Sequence, residues 1–383
     1  IVNYVRSLAM ANTNFASLTS NQLTAWSRDF WRVARNMSFI NQFAGTGSNA
    51  MVQRITDLTK SDKGTKAVIT LLADMTGDGI TGDNTLEGNE ESLRAFDITI
   101  QLDQLRFANR LAGRLADQKS VVNFRENSRD ALAYAIADRI DQLAFLTLSG
   151  VAYTEKTNGA SRATSSTTGH ELADLEFASD VSAPTTNRHR RWDATNGLVA
   201  GDTSAVVAAD TLAYKCIVET KAYAKDNYIR GVRGPGGEEM FYMFVTPQQM
   251  ADLKLDSDFL ANVRQASLRG PQNQLFSGTS SLMVDGVMIS EFRHVYNTAG
   301  ATSGTDKWGS GSDVNGARAL FCGAQALAMA DIGLPEIVEE SFDYGNQQGI
   351  SIGKIFGLRK PKYNSDYNDS VEDFGVIAVD TSF

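Results

Sequence analysis

The chain has 383 residues, of which 42% are hydrophobic and 21% charged, and its formal net charge is −9. This is ordinary globular composition for a chain long enough to bury a substantial core in more than one domain. The acidic balance argues against a dedicated nucleic-acid binder with a basic face, although it allows a protein that encloses nucleic acid. No apolar run approaches the ~18 residues of a membrane span.

The N-terminal region is predicted to be an irregular arm followed by an amphipathic helix. Residues 1–18 lack the basic-then-apolar order of a signal peptide, and the start at Ile1 leaves open whether other residues precede it. Thr19 and Gln22 form a capping-box pattern that predicts a helix to about Met37. We expect this helix to dock in the fold or on a neighbouring subunit through two residues of its apolar stripe, Trp26 and Phe30.

A β-hairpin with a long acidic tip is predicted between residues 66 and 102. Residues 66–72 are a β-branched run, and residues 94–102 alternate apolar and polar side chains. The twenty residues between them, 73–92, contain four glycines, six acids and no Lys or Arg. An isolated ribbon is marginal in water, and a structureless loop beyond roughly 12–15 residues usually has a function, so we expect the tip to lie on another copy of the molecule. The acids expected to contact that copy are Asp78, Asp83, Glu87, Glu90 and Glu91.

Two helical segments are predicted next. A connecting helix covers residues 105–116, and a long helix runs from about Ser120 to Ser149, with Gly150 suited to the C′ position. At ~1.5 Å per residue the long helix spans about 45 Å, more than a compact domain needs, so it should act as a strut. Basic residues precede or open it, and we expect the acidic tip of one subunit to lie near such a surface on the next. The candidates for this surface are Arg106, Arg110, Arg114 and Arg125, with Arg188, Arg190 and Arg191 further along.

The rest of the chain alternates loops, short helices and strands. Residues 151–207 are rich in Ser, Thr, Ala, Asn and Gly and should form loops with short elements. Strands before and after helices, without βαβ alternation, favour the α+β class. The predicted elements are a helix from Asp210 as N-cap to Asp226, a strand at 240–245, a helix at 247–255 opened by Pro247, a hairpin at Asp285-Gly286, and strands at 317–322, 349–358 and 374–379.

Two motifs in the tip imitate ligand-binding loops. GDGITG at 77–82 satisfies GxGxxG, but an acidic, loop-like DNTLEGNEE follows where a helix should open, so a flexible turn is favoured over a dinucleotide site. Asp74, Thr76, Asp78 and Gly79 imitate the first half of a calcium loop. Because the twelfth position is Thr85 rather than a bidentate Glu, a solvated acidic loop is favoured over a weak divalent site.

No pattern indicates catalysis. The three histidines, His170, His189 and His294, lack metal-ligand spacing, and no nucleophile or phosphate-loop motif is present. We therefore expect no enzyme activity, cofactor or metal. The basic run 188–192 is interpreted as a solvated loop face, with contact to nucleic acid or an acidic partner as the alternative. Two buried free thiols are favoured over a disulfide for Cys216 and Cys322.

Five sequence blocks, in this order, carry a resemblance. They are GDGITGDNTLEGNEESL (77–93), YMFVTPQQMADLKLDSDF (242–259), NQLFSGTSSLMVDGVMISEF (273–292), RALFCGAQALAMADIG (318–333), and FDYGNQQGISIGKIFGLRKPKYN with the terminal FGVIAVDTS. The chain resembles the major capsid proteins of tailed bacteriophages, in the subset typified by the coliphage N-four coat protein. The resemblance implies a Hong Kong 97-type capsid fold with an N-terminal arm, an extended β-hairpin loop, a long spine helix, and peripheral and axial domains. It implies these boundaries: arm 1–48, extended loop and connector 49–112, peripheral domain 113–209 with spine helix 120–149, axial domain 210–340, and C-terminal strands 341–383 returning to the peripheral domain.

The resemblance also implies the function. Copies of the chain would form pentamers and hexamers of an icosahedral shell, assembled in the bacterial host cytoplasm, with no membrane. The shell would enclose double-stranded DNA without sequence-specific binding, and portal, scaffolding and decoration proteins are the other expected partners. The alternatives are an encapsulin-like nanocompartment shell, which genome content would distinguish, and a nucleotide-binding oxidoreductase. Nothing identifies the lysine and asparagine that crosslink the Hong Kong 97 shell, so that chemistry is not transferred.

Overall fold

The computed structural model describes residues 38–56, 64–72, 78–90, 95–115, 124–234, 236–266, 281–333, 335–365 and 370–383. The predicted helix at 19–37, with Trp26 and Phe30, lies outside the described residues, as does Glu91. Their expected contacts therefore stay predictions.

The described residues form four α-helices and eighteen strands. The helices are α1 (Phe124–Ser149), α2 (Tyr214–Asp226), α3 (Pro247–Leu255) and α4 (Ser257–Ala266). The strands are β1 (Ala44–Gly45), β2 (Val52–Ile55), β3 (Lys66–Leu72), β4 (Ala95–Gln101), β5 (Asp103–Arg110), β6 (His189–Asp193), β7 (Gly197–Ala200), β8 (Val232–Arg233), β9 (Glu239–Val245), β10 (Ser281–Val284), β11 (Val287–Glu291), β12 (Gly316–Cys322), β13 (Leu327–Asp331), β14 (Glu336–Phe342), β15 (Gln347–Arg359), β16 (Lys362–Ser365), β17 (Ser370–Asp373) and β18 (Val376–Ser382).

The first sheet is organised by the thirteen-residue strand β15. β15 pairs antiparallel with β5 on one edge and with β14 and then β13 on the other, and β13 continues to β2 and β1. The α1 strut packs against this sheet through an apolar stripe that includes Ile136, Ile140 and Leu143, all fully buried. The long predicted helix is thus confirmed over the residues that are described.

The connecting helix predicted at 105–116 is wrong over most of its length, because residues 103–110 form strand β5. Leu105 and Phe107 are half-buried against the main core, whereas Gln104, Arg106 and Ala108 are exposed. This alternation has the two-residue period of a strand. The long partner β15 provides the ladder that makes the extended conformation favourable, and local propensity does not reveal that partner.

The second sheet has the order β10-β11-β9-β12-β18-β6-β7, with β8 paired to β9. One face contributes Phe244, Leu320 and Val376 to the core around α1, and the other is covered by α2, α3 and α4. The C-terminal strand β18 lies between β12 and β6, whereas β15 belongs to the first sheet. The two long strands near the C-terminus, β15 and β18, therefore each complete one of the two sheets, and α1 lies between the sheets.

Most of the local predictions in this region are confirmed. The strands at 240–245 and 317–322 and the helix at 247–255 are present. Asp285 (φ 46°) and Gly286 (φ 74°) form the predicted tight hairpin. The N-cap of α2 is Ala213, however, so the prediction that Asp210 caps this helix is wrong. Asp210 is buried and instead accepts hydrogen bonds from the amides of Ala194 and Val207.

The predicted hairpin is confirmed as the antiparallel pair β3–β4. Ile69 and Ile100 are buried at its base against Ala328 and Ala330 of β13. Val68, on the opposite face, is 55% exposed. The base of the hairpin is therefore anchored to the first sheet on one face only.

Candidate assembly surfaces

The acidic tip of the hairpin is exposed at every residue from 78 to 90. The hydrogen bonds described for it are local, such as Asn84 Nδ2 to the Thr81 carbonyl (2.7 Å) and the Gly88 amide to the Glu90 carboxylate (2.8 Å). Two apolar side chains, Ile80 and Leu86, are 40% and 61% exposed. Within the described part of the chain, the carboxylates of Asp78, Asp83 and Glu87 have no ion-pair partner.

Three of the predicted basic residues lie along one edge of the first sheet. Arg106 is exposed on β5. Arg110, also on β5, donates from Nη2 to the Gln347 side chain at 2.6 Å and places its guanidinium 4.1 Å from the centroid of the Phe342 ring. Arg114 is exposed, and its amide donates to the Asn346 side chain. Arg125 lies in the first turn of α1.

This basic edge has an open backbone. The Leu111 amide donates to the Gln348 carbonyl, which fixes the phase of the ladder between β5 and β15. In an antiparallel pair the bonded positions alternate, so the amides and carbonyls of Gln104, Arg106 and Arg110 point away from β15. Among the described strands, β15 is the partner of β5. Arginines on a long open edge discourage nonspecific strand pairing and leave the edge free for a specific acidic partner.

The basic run 188–192 is internal, so the interpretation as a solvated loop face is wrong. Arg188 is 1% exposed and pairs with Glu372 at 3.0 Å. Its neighbours form β6, where His189 Nε2 lies 2.6 Å from Asp380 and Arg190 stacks over Tyr223. Arg188, Arg190 and Arg191 are therefore not the surface on which an acidic tip could lie. Their partners come from distant segments, which a local charge pattern does not show.

A buried carboxylate on α1 holds the segment that follows the N-terminal region. Asp141 accepts hydrogen bonds from Ser38 Oγ (2.7 Å) and from the amides of Phe39 (2.9 Å) and Ile40 (3.1 Å). Burial raises the pKa of Asp141 to about 6, although these donors act in the opposite direction. In the sequence, the only mark of this site is one acidic residue, Asp141, within the apolar stripe of α1. That signal did not enter the prediction.

A second polar cluster on α1 has the components of a hydrolytic triad. Asp138 Oδ1 lies 2.7 Å from His294 Nε2, and Thr157 Oγ1 lies 3.4 Å from His294 Nδ1. Burial lowers the pKa of His294, and the hydrogen bonds from His294 and Arg293 lower the pKa of Asp138 against its own desolvation. Thr157 and His294 are each only 8% exposed, so the cluster lies largely in the interior. It joins α1 to two loops.

Both cysteines are part of the buried hydrophobic core. Cys216 and Cys322 are free and buried, which confirms the prediction of free thiols, and burial raises the pKa of both. Among the described residues, no group of three His, Cys, Asp or Glu side chains could hold a metal ion. No helix in that same part of the chain is both long and apolar enough to cross a membrane.

Within the described residues, an anchored hairpin with an exposed acidic tip, a strut helix and a basic edge strand are features of a structural subunit that can associate with other copies. The chain belongs to the phage capsid protein family, whose model matches residues 14–383. It is 56% identical over 370 residues to the major capsid protein of Pseudomonas phage KPP25, covering 96% of each chain.

Solved phage capsids share the fold. The capsid of Ralstonia phage GP4 matches with a TM-score of 0.72 and 24% identity, covering 100% of this chain and 98% of the other. The Cyanophage Pam1 capsid matches with a TM-score of 0.67 and 18% identity, covering 100% and 99%. These likenesses confirm the α+β, Hong Kong 97-type fold. The family match and the 56% identical relative favour a phage capsid over a nanocompartment or an oxidoreductase.

Proposed function

We propose that this chain, a phage major capsid protein, assembles into pentamers and hexamers by laying the acidic tip of each subunit on the basic edge of the next. The observation that carries this proposal is the exposure of residues 78–90 on a hairpin whose base is packed. The candidate contacts are Asp78, Asp83, Glu87, Glu90 and Glu91 on the tip and Arg106, Arg110, Arg114 and Arg125 on the neighbour. Trp26 and Phe30 of the N-terminal region are proposed as a separate contact.

The proposed role of the tip is orientation more than adhesion. Each exposed ion pair contributes only about 0–1 kcal/mol, so several pairs together would select the correct docking geometry. Large obligate interfaces, roughly 2,000–5,000 Å² each, would provide most of the binding free energy. A contact between two different surfaces of the same chain is heterologous, and it closes into a ring when the rotation between neighbours permits.

The proposed shell encloses double-stranded DNA of a tailed phage. The net charge of −9 supports enclosure without tight binding, because a basic lining would hold the phosphates and hinder packing and release. Portal, scaffolding and decoration proteins are proposed partners on the grounds of family membership alone. We propose a purely structural role; the support is that the Thr157, His294 and Asp138 cluster is buried and occupied by structural contacts.

The proposed domains follow the division given by the resemblance, with α1 as the spine helix of the peripheral domain. Its support is that α1 packs on the first sheet, whereas α2, α3 and α4 pack on the outer face of the second.

Electron microscopy of the purified protein tests the proposal. We expect closed icosahedral particles, or pentamers and hexamers, and nuclease-protected DNA in particles isolated from infected cells. A protein that stays monomeric at high concentration would contradict the assembly proposal. Particles that enclose protein cargo without DNA would favour the nanocompartment instead.

A further inference from the structure

The turn between β14 and β15 holds a tyrosine fully in solvent. Tyr344 is completely exposed. It lies in a run of three residues with positive φ, namely Asp343 (52°), Tyr344 (51°) and Gly345 (82°). The left-handed conformation is strained for a residue with a side chain. Because its ring is fully exposed, packing of that ring does not explain why Tyr344 adopts this conformation.

This turn is held in place from both sides. The Asn346 amide donates to the Asp343 carbonyl at 2.9 Å, and its side-chain Nδ2 donates to the Asp343 carboxylate at 3.2 Å. The same Asn346 side chain accepts from the Arg114 amide, at 3.4 Å. Arg110 stacks on Phe342 immediately before the turn. Tyr344 therefore projects from a turn whose flanking residues, Phe342 and Asn346, contact Arg110 and Arg114 of the basic edge.

We propose that Tyr344, together with Arg110 and Arg114, is the anchor that binds the acidic tip of a second copy, with Leu86 of that tip as its apolar contact. This inference rests on the proposed function and names the residues of that contact. Tyrosine and arginine are the side chains most enriched at the centres of interfaces, and both lose little freedom when they are already held. The tip has the complementary chemistry, because Leu86 is 61% exposed between the carboxylates of Asp83 and Glu87.

Both surfaces belong to one chain and both are exposed, so copies of the chain satisfy each other without any further partner. An aromatic ring on a hydrogen-bonded turn next to the basic edge would give the acidic tip a defined position along that edge, which charge alone does not. The pairing is heterologous, as ring formation requires.

The first experiment uses cysteine pairs on separate subunits. Leu86→Cys and Tyr344→Cys proteins are purified separately, mixed, assembled and mildly oxidised, and heterodimers are measured on non-reducing gels. The natural thiols, Cys216 and Cys322, are buried and give little background. Tyr228, which is also exposed and also has positive φ (57°), provides the matched control as Tyr228→Cys.

We expect the Leu86→Cys and Tyr344→Cys mixture to give about tenfold more heterodimer than the Leu86→Cys and Tyr228→Cys mixture. Equal yields would overturn the inference. A homodimer of Tyr344→Cys alone at the higher yield would also overturn it, because Tyr344 would then contact another Tyr344. If shells form and this crosslink is absent, the inference fails while the proposed function stands. If the unmodified protein forms no shells, the proposed function fails first.

The second experiment separates assembly from folding. Tyr344→Gly removes the ring and relieves the left-handed strain, so the melting temperature of the unassembled subunit should stay the same or rise. Its assembly rate, followed by light scattering, should fall about tenfold, whereas Tyr228→Gly should assemble at the normal rate. Normal assembly of Tyr344→Gly would contradict an anchoring role for the ring.

Discussion

At the scale of single residues, the fold depends on buried charges as well as on apolar packing. Three cations that are at most 2% exposed each contact a buried carboxylate, in the pairs Arg188–Glu372, Lys354–Asp331 and Lys360–Asp373. Arg188–Glu372 joins segments distant in sequence, Lys354–Asp331 joins β15 to β13, and Lys360–Asp373 joins the residue after β15 to the end of β17. Removing a buried cation from such a pair takes away a charge contact in a poorly solvated interior, which is a large penalty.

Replacing Arg188 should therefore destabilise the subunit. Arg188→Met removes the contact of 3.0 Å with the buried Glu372 carboxylate and the hydrogen bonds to the Asp373 and Asn227 carbonyls, and we expect the free energy of unfolding to fall by about 3–5 kcal/mol. Urea denaturation of the unassembled subunit measures this change. Arg106→Met is the matched control on an exposed arginine, and its effect on unfolding should stay within about 0.5 kcal/mol. Equal effects of the two substitutions would show that Arg188 is not the buried partner described above.

Asp141 should give the subunit a characteristic pH dependence. Its pKa in the folded protein is raised to about 6 from an ordinary value of 3.8. The folded state therefore binds the extra proton between these two values, and stability is lost as the pH rises from about 4 to about 6. The loss expected from this group is about 3 kcal/mol, at 1.36 kcal/mol for each unit of pKa difference.

Chemical denaturation at pH 4 to 7 measures this effect. Asp141→Asn mimics the protonated side chain, so the variant should lack this component and lose less stability over the same range. Asp226→Asn, at an exposed position, should keep the pH dependence of the unmodified protein. A pH profile of Asp141→Asn that matches the unmodified profile would contradict the role of Asp141.

At the scale of secondary structure, the C-terminal end of α1 is the most constrained junction. The amides of Gly150 and Val151 donate to the carbonyls of Thr147 and Leu146, which is a Schellman arrangement with Gly150 at φ 69°. Arg318 on β12 donates to the Ser149 carbonyl at 2.8 Å while it pairs with Asp380 on β18. Arg318 thus fixes the C-terminal end of α1 to the second sheet, through its hydrogen bond to the Ser149 carbonyl and its ion pair with Asp380.

Gly150→Ala should destabilise the subunit more than a Gly→Ala substitution at a position where only the positive φ disfavours a side chain. A Cβ at position 150 would lie 2.5 Å from the Ser182 carbonyl oxygen, whereas Gly237, with a similar φ of 77°, has nothing within 4 Å of its added Cβ. We expect Gly237→Ala to cost about 1 kcal/mol and Gly150→Ala about 3 kcal/mol in the free energy of unfolding. Equal costs would show that loop 182–184 moves aside without penalty.

At the scale of the whole molecule, the residues that stabilise the folded subunit differ from those proposed to direct its assembly. Its two sheets and α1 bury the main cores, whereas the tip at 78–90 and the basic edge on β5 stay exposed. The two surfaces carry opposite charge, so their attraction should be screened at a Debye length of about 8 Å near physiological salt. Folding should therefore be largely insensitive to these surface charges, and assembly should be sensitive to them.

Charge reversal of the tip tests this separation. Replacing Asp83, Glu87, Glu90 and Glu91 with Lys should leave the melting temperature of the unassembled subunit close to normal, because the described members of this set are exposed. Assembly, followed by light scattering and electron microscopy, should become slow or misdirected, and its salt dependence should weaken. Normal shells at a normal rate and with a normal salt response would show that charge on the tip does not orient the subunits.

The sequence by itself determined the elements whose signals are local. The alternation in 94–102, the Asp285-Gly286 turn, Pro247 at the start of α3 and Gly150 after α1 each depend on backbone preferences of a few neighbouring residues. The acidic tip was likewise predictable as an exposed surface, because six carboxylates in twenty residues have no local partner. The capsid family followed from the order of five sequence blocks.

Only the tertiary structure decided which segments meet. Residues 105–110 became a strand because β15 lies beside them, and the basic run 188–192 became interior because Glu372 and Asp380 arrive from the C-terminal strands. Asp141 is buried beside residues 38–40, and Tyr344 projects from a hydrogen-bonded turn, which is why a role is proposed for it. Long-range pairing sets burial, and burial decides whether a charged or aromatic side chain stabilises the subunit or remains exposed for a neighbour.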